Sequence, residues 1–273
     1  MIRRVLFGLV LLLAVMPRIV HAQDCAPNML QLSSQGSDAS VADNPLLHFS
    51  TAFTFECWAI RDSSVGRGPL LLKRGTVAPY GLELRGDSVV GFVEQDSTRI
   101  EITAEVSNIT TWHHYALLFR ASDSLYLVVD STDVAAVATR SSAIAVSSGA
   151  LLIGADTSGV SLLGAMDDIR LWNIGRTASA LRSTVSRVLQ GSEVGLVAYY
   201  SADDDIGSAR LHDFSRHHLD ATLSGGGIAV VTSSSPVTTR SPGFQIDALE
   251  RLVDLGVRRC SPSFDTVIHI RNM

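Results

Sequence analysis

Charge is scarce in this sequence. Only 18% of its 273 residues are Asp, Glu, Lys or Arg, and the acids outnumber the bases for a formal net charge of −5. No cluster of Lys or Arg follows the N-terminal segment, which argues against nucleic acid or anionic lipid as a partner. Long apolar runs are missing after residue 22, so no later segment is expected to cross a membrane. Cysteine is limited to three residues, Cys25, Cys57 and Cys260, which cannot all pair internally. Nothing has Cys-x-x-Cys or His-x-x-x-His spacing. His113-His114 are adjacent on a strand and point apart, and His217-His218 sit in a loop, so a zinc site is not expected. Aromatics make up 6% of the chain. Long amphipathic helices are also few: Thr177–Leu189 is the one clear case, with Thr177 as N-cap and Leu181, Val185 and Val188 on one face.

What remains is a β pattern behind a targeting segment. Arg3 and Arg4, the apolar run Val5–Val15 and Val20-His21-Ala22 read as a signal peptide over residues 1–22, cleaved before Gln23. This predicts an exported chain, secreted or held at the cell surface. From Asn28 onward, short strands alternate with turns. They fall at Met29–Leu32, Ser40–Val41, Phe53–Ala59, Leu70–Lys73, Tyr80–Leu84, Val89–Val93, Arg99–Thr103, Trp112–Phe119, Leu125–Val129, Val134–Val137, Leu151–Ile153 and Gly164–Trp172. Spacing this regular predicts an all-β sandwich or barrel. Phe53, Phe55, Cys57, Trp58, Trp112, Leu117, Ile153, Ile169, Leu171 and Trp172 are its expected core. Ile228–Pro242 is too polar and proline-punctuated for a strand and reads as linker. The expected organisation is a signal peptide (1–22), a β-sandwich (23–230), a linker (231–243) and a short β segment (244–273).

Several stretches together carry a resemblance. In order they are Pro45-Leu46-Leu47, Phe53-Thr54-Phe55-Glu56-Cys57-Trp58, Trp112-His113-His114-Tyr115-Ala116-Leu117, Leu125–Asp130, Leu151–Gly154, and Gly164–Trp172 running into Asn173–Thr177. From Asn28 to about Leu223 the chain resembles the laminin G-like branch of the concanavalin A-like lectin/glucanase superfamily. The resemblance implies an antiparallel jelly-roll of two curved sheets with one peripheral helix. It also implies a domain that binds glycans or extracellular proteins through loops at one end or edge. Two positions depart from the family: Ser131 stands where it usually has Gly, and Asp203-Asp204-Asp205 replaces its Phe-Asp-Glu. Val253–Gly256 and Asp265–Asn272 resemble the opening strands of an Ig-like module of the abnormal-spindle or choice-of-anchor type.

Some relatives in that superfamily are glycanases with paired carboxylates on one strand. Here Glu94 and Asp96 are the nearest equivalent, Glu101 lies too far along, and Asp167-Asp168 are expected on opposite faces, so no catalytic residue is assigned. The expectation is a non-enzymatic recognition or adhesion module. A divergent glycan hydrolase and a structural spacer are the alternatives. Strict alternation along Gly164–Trp172 puts Asp167 on the face of Ile169 and Leu171, where a bare charge is costly. If calcium binds, Asp167 is a ligand or adjoins one, with Asp130 or Asp156 and loop carbonyls completing an oxygen shell. Otherwise Asp167 accepts hydrogen bonds from loop N–H groups or from an indole such as Trp112.

Overall fold

The computed structural model describes residues 28–63 and 66–237. Their strands are β1 (Asn28–Leu32), β2 (Asp38–Val41), β3 (Ala52–Arg61), β4 (Arg67–Lys73), β5 (Tyr80–Arg85), β6 (Ser88–Gln95), β7 (Thr98–Glu105) and β8 (His113–Arg120). The chain continues through β9 (Ser124–Val129), β10 (Thr132–Ala138), β11 (Leu151–Ile153), β12 (Gly164–Trp172), β13 (Leu196–Tyr200), β14 (Arg210–Leu211), β15 (Ala221–Ser224) and β16 (Ile228–Thr232). One helix, α1 (Ala178–Thr184), lies between β12 and β13. The strands form two antiparallel eight-stranded sheets of a jelly-roll sandwich. One runs β10-β9-β8-β3-β12-β1-β16 with β13 also on β12; the other runs β14-β15-β2-β11-β4-β5-β6-β7.

Apolar residues at every second position meet between the sheets. Phe53, Phe55, Cys57 and Ala59 of β3 join Tyr115, Leu117 and Phe119 of β8 and Leu82, Leu84, Val89 and Val93 of the facing sheet in one core. At Gly91 the facing sheet comes so near that an added Cβ would fall 2.3 Å from Leu117 Cδ1. All nine residues of β12 are buried, since β3 covers one edge while β1 and β13 share the other. The free thiol of Cys57 is buried in this core.

The structure corrects four local expectations. The helix stops at Thr184, although Thr177 caps it as expected by accepting from the Ala180 amide at 3.2 Å, with Leu181 as its buried residue. Ile228–Thr232 is a strand, because β1 needs a partner along its outer edge and β16 supplies one. Trp58 and Trp112 are half-buried, since both point away from the core. Trp58 reaches the Val185 carbonyl at 2.8 Å and Trp112 the Ser234 hydroxyl at 3.2 Å. The signal peptide, Cys25, Cys260, the rest of the linker and the Ig-like segment lie outside the described residues.

Candidate binding face

A sandwich offers two outer faces, and here they are treated differently. The outer face of the β3-containing sheet is roofed by α1 and the Val185–Leu189 stretch. Ala116, Leu118 and Val128 pack against Leu181, while Trp172, Leu196 and Tyr199 pack against Leu189. Beneath the roof sits Glu56, with no exposed surface. Its Oε2 is 3.0 Å from His114 Nε2, and its Oε1 accepts from Trp172 Nε1 at 2.8 Å and from Arg176. Burial alone raises the Glu56 carboxyl, but the His114 hydrogen bond and the Arg170 and Arg176 charges outweigh it and bring it down to about 2. Arg170 and Arg176 also serve the helix end. They donate to the carbonyls of Ala180 (2.9 Å) and Thr184 (3.0 Å) in α1 and of Arg187 (2.6 Å) just beyond it. This buried cluster is a clamp that fastens α1 to the sheet.

Asp167 lies on the same covered face, not on the core face. Strict alternation fails because β12 carries a bulge between Asp167 and Arg170, with Asp168 in the left-handed region at φ 52°. The extra residue lets Met166, Ile169 and Leu171 all reach the core while Asp167 pairs with outward Trp58. Neither a loop amide nor an indole serves Asp167. It accepts from Ser233 Oγ at 3.1 Å and from Ser235 Oγ, so the stretch after β16 is strapped over it. Burial pushes its carboxyl well up, and the Asp168 and Asp203 charges add to this against the Ser235 hydrogen bond.

The other carboxylates suggested for calcium are elsewhere. Asp130 is in the β9–β10 turn, 2.8 Å from His113 Nδ1 and accepting from the His114 amide at 3.0 Å. Pairing of His114 with Trp58 and of Trp58 with Asp167 sets Asp130 and Asp167 three strand spacings apart, roughly 14 Å. Asp156 follows β11 in the opposite sheet. No group of three or more His, Cys, Asp or Glu side chains suited to a metal occurs among the described residues. Glu94 and Asp96 do not form a catalytic pair either. β6 ends at Gln95, and Asp96 sits in the following turn at φ 50°, accepting from Ser142 Oγ at 2.7 Å.

The outer face of the second sheet has no such roof among the described residues. Leu152, Leu72, Gly81, Phe92 and Glu101 stand in one row across β11, β4, β5, β6 and β7. Beside the row runs an unbroken alternation of charge. Asp156 Oδ2 is 2.9 Å from Arg67 Nη1, and Arg67 Nε donates to Glu83 at 2.9 Å. Arg85 Nε donates to Glu83 at 3.1 Å, Arg85 Nη1 lies 3.4 Å from Glu101, and Arg99 Nε donates to Glu101 at 3.1 Å. The arginine side chains are 44–46% exposed, whereas Glu83 and Asp156 are 6% and 8% exposed. The carboxylates therefore hold the arginines in place from below, and the arginines present N–H groups to solvent.

Asp156 is further fixed by Ser158, whose amide and hydroxyl donate at 2.8 and 2.7 Å. Burial raises its carboxyl, but those bonds, the Val160 amide and the Arg67 charge together hold it below the ordinary carboxylate range. A carboxyl kept ionised is a poor general acid. Arg67, Leu72, Glu83, Phe92, Arg99 and Asp156 line a depression of about 250 Å³ in it. Of these, only Asp156 stood out in the sequence. The available signal was opposite charge two residues apart on one strand face, Glu83-Leu84-Arg85 and Arg99-Ile100-Glu101.

An antiparallel jelly-roll with one covered and one open face defines a lectin-like class of domain. The chain belongs to the concanavalin A-like lectin/glucanases superfamily, whose laminin G model matches residues 33–182. A candidate carbohydrate-binding protein from Bacteroides ovatus is similar in structure, with TM-score 0.62 and 18% identity over 78% of this chain and 61% of that one. Domains LG4-5 of the mouse laminin alpha1 chain align with TM-score 0.43 and 18% identity, over 54% of this chain and 41% of that one. The chain thus spans about three fifths of the first of these proteins. No curated protein matches it by sequence. No helix among the described residues is long and apolar enough to cross a membrane.

Proposed function

We propose that this chain is an exported, non-enzymatic recognition module that binds a glycan through the open face of the β4–β7 sheet, within a larger secreted or cell-surface protein. The observation that carries the reading is the depression on that face, where exposed guanidinium groups and buried carboxylates surround an apolar floor. Such a floor with a few convergent polar groups is the usual make-up of a small-molecule site. Export rests on the residue 1–22 pattern, and carbohydrate binding also agrees with the character of the Bacteroides ovatus protein. The divergent-hydrolase alternative is disfavoured because Glu83 and Asp156 are both tied to Arg67.

A glycan array run beside turnover assays on the same glycans tests the reading. Binding without turnover, weakened by Arg67→Ala, is the expected result. Turnover would instead establish a hydrolase, and neither binding nor turnover would leave a spacer. Mass spectrometry of exported protein should find Gln23 at the N-terminus; an intact Met1 would overturn the export claim.

A further inference from the structure

We propose that Phe92 is a sugar-stacking platform and Arg99 its displaceable cover, which makes the depression a subsite for one uncharged pyranose ring. This rests on the glycan-binding reading above. Phe92 belongs to the outer row of β6, where a side chain ordinarily meets solvent, yet it is 4% exposed. Two neighbours account for that. On β5 its register partner is Gly81, where an added Cβ would stand 2.6 Å from Phe92 Cε1 and 2.7 Å from Cζ. The ring therefore leans over space that any other residue at position 81 would occupy. From β7 comes the Arg99 guanidinium, its Cζ 3.4 Å from the ring centroid.

The cover is weakly held. Its side chain is 44% exposed, and a cation–π contact at such a site adds little stability. Swinging aside leaves Arg99 within reach of Glu101, its present partner at 3.1 Å. The C–H face of a pyranose turns weakly positive hydrogens toward the negative face of the ring, the same side on which the guanidinium cation now sits. Donors on Arg67 and acceptors on Glu83 and Asp156 then flank the sugar hydroxyls in both senses. Asp156, Arg67, Glu83, Arg85, Glu101 and Arg99 carry three charges of each sign, which favours an uncharged sugar over a sulfated or uronic one. A volume of about 250 Å³ suits one ring, with any remaining glycan running out over the open face.

The experiment titrates the full chain calorimetrically with cellohexaose, laminarihexaose, maltohexaose and mannohexaose, and with a heparin hexasaccharide as the anionic control. At least one neutral hexasaccharide should bind. Phe92→Ala should lower its affinity about tenfold or more, and Phe92→Leu, which keeps bulk without an aromatic face, should do the same with the melting temperature held. Arg99→Ala should raise affinity by about threefold, because the platform no longer has to be uncovered. Binding lost in Arg67→Ala but unchanged in both Phe92 variants would overturn the platform and leave the binding face standing. Preference for the heparin fragment, lost in Arg99→Ala, would do likewise. Binding of none of the five saccharides would overturn both readings.

Discussion

The two outer faces of this sandwich are built from the same chemistry, arginines alternating with carboxylates, and differ in what covers them. On the β3 side Glu56, Arg170 and Arg176 are sealed under α1, with their hydrogen bonds spent on one another, on neighbouring buried side chains and on carbonyls of the helix region. On the β4–β7 side Arg67, Arg85 and Arg99 lie open over buried Glu83 and Asp156. Burial decides the role. A charge cluster removed from water must satisfy itself and so becomes a clamp. A half-exposed one keeps spare donors and can serve a ligand.

The sharpest way to break this contrast is to cut each cluster once. Glu56→Ala should cost about 3–5 kcal/mol, because it strands buried Arg176 without its carboxylate and leaves Arg170 with Asp168 alone. Urea unfolding measures it, and a loss below 1 kcal/mol would contradict the clamp. Acid should act through the same group. With its carboxyl brought from an ordinary 4.5 to about 2, Glu56 contributes stability that is present above 4.5 and drains away as pH falls toward 2. Glu56→Gln should flatten that part of the stability–pH curve.

Asp167 sharpens the comparison from within the covered face, since its carboxyl is pushed up rather than down. Its contribution is full below the ordinary carboxylate value and is lost as pH rises through its own raised value. Asp167→Ala should cost about 1–3 kcal/mol by removing the acceptor that the Ser233 and Ser235 hydroxyls share. Asp167→Asn, which still accepts from both, should be tolerated and should remove the decline with rising pH. Equal losses in the two variants would show that the charged form is required.

Smaller still is the stability effect expected on the open face. Arg67→Ala should change unfolding free energy by only about 1 kcal/mol while weakening glycan binding, because Arg67 itself is half-exposed, Arg85 still pairs Glu83, and Ser158 and Val160 still serve Asp156. A large loss of stability would make this face structural as well. Calcium should do least. Asp130, Asp156 and Asp167 are separately engaged by protein donors, so millimolar calcium should leave the melting temperature of chelator-treated protein unchanged; a rise would reveal a folded-state site.

Strand positions were legible because period-2 alternation is a local signal, and every strand expected through Gly164–Trp172 is present. The helix start was legible for the same reason, its Thr177 cap being local. Asp167 was misplaced because a bulge is invisible to alternation: one extra residue at Asp168 reverses the parity of everything before it. The β16 strand was missed because its polar neighbours in sequence masked a pairing that only β1 could create.

By itself, then, the sequence determined the all-β class, the order of its strands, the position of α1 and the core face of β3, all of which follow from residue type and spacing along the chain. Tertiary structure alone decided which face each charge cluster occupies. Glu56 reads as an ordinary polar residue on a strand until α1 closes over it. Arg67, Glu83, Arg99 and Asp156 come from four separate stretches that only the pairing of β4 to β7 and the loop after β11 bring side by side. Contacts of that kind depend on register across strands distant in sequence, and no local pattern encodes register between partners that have yet to meet.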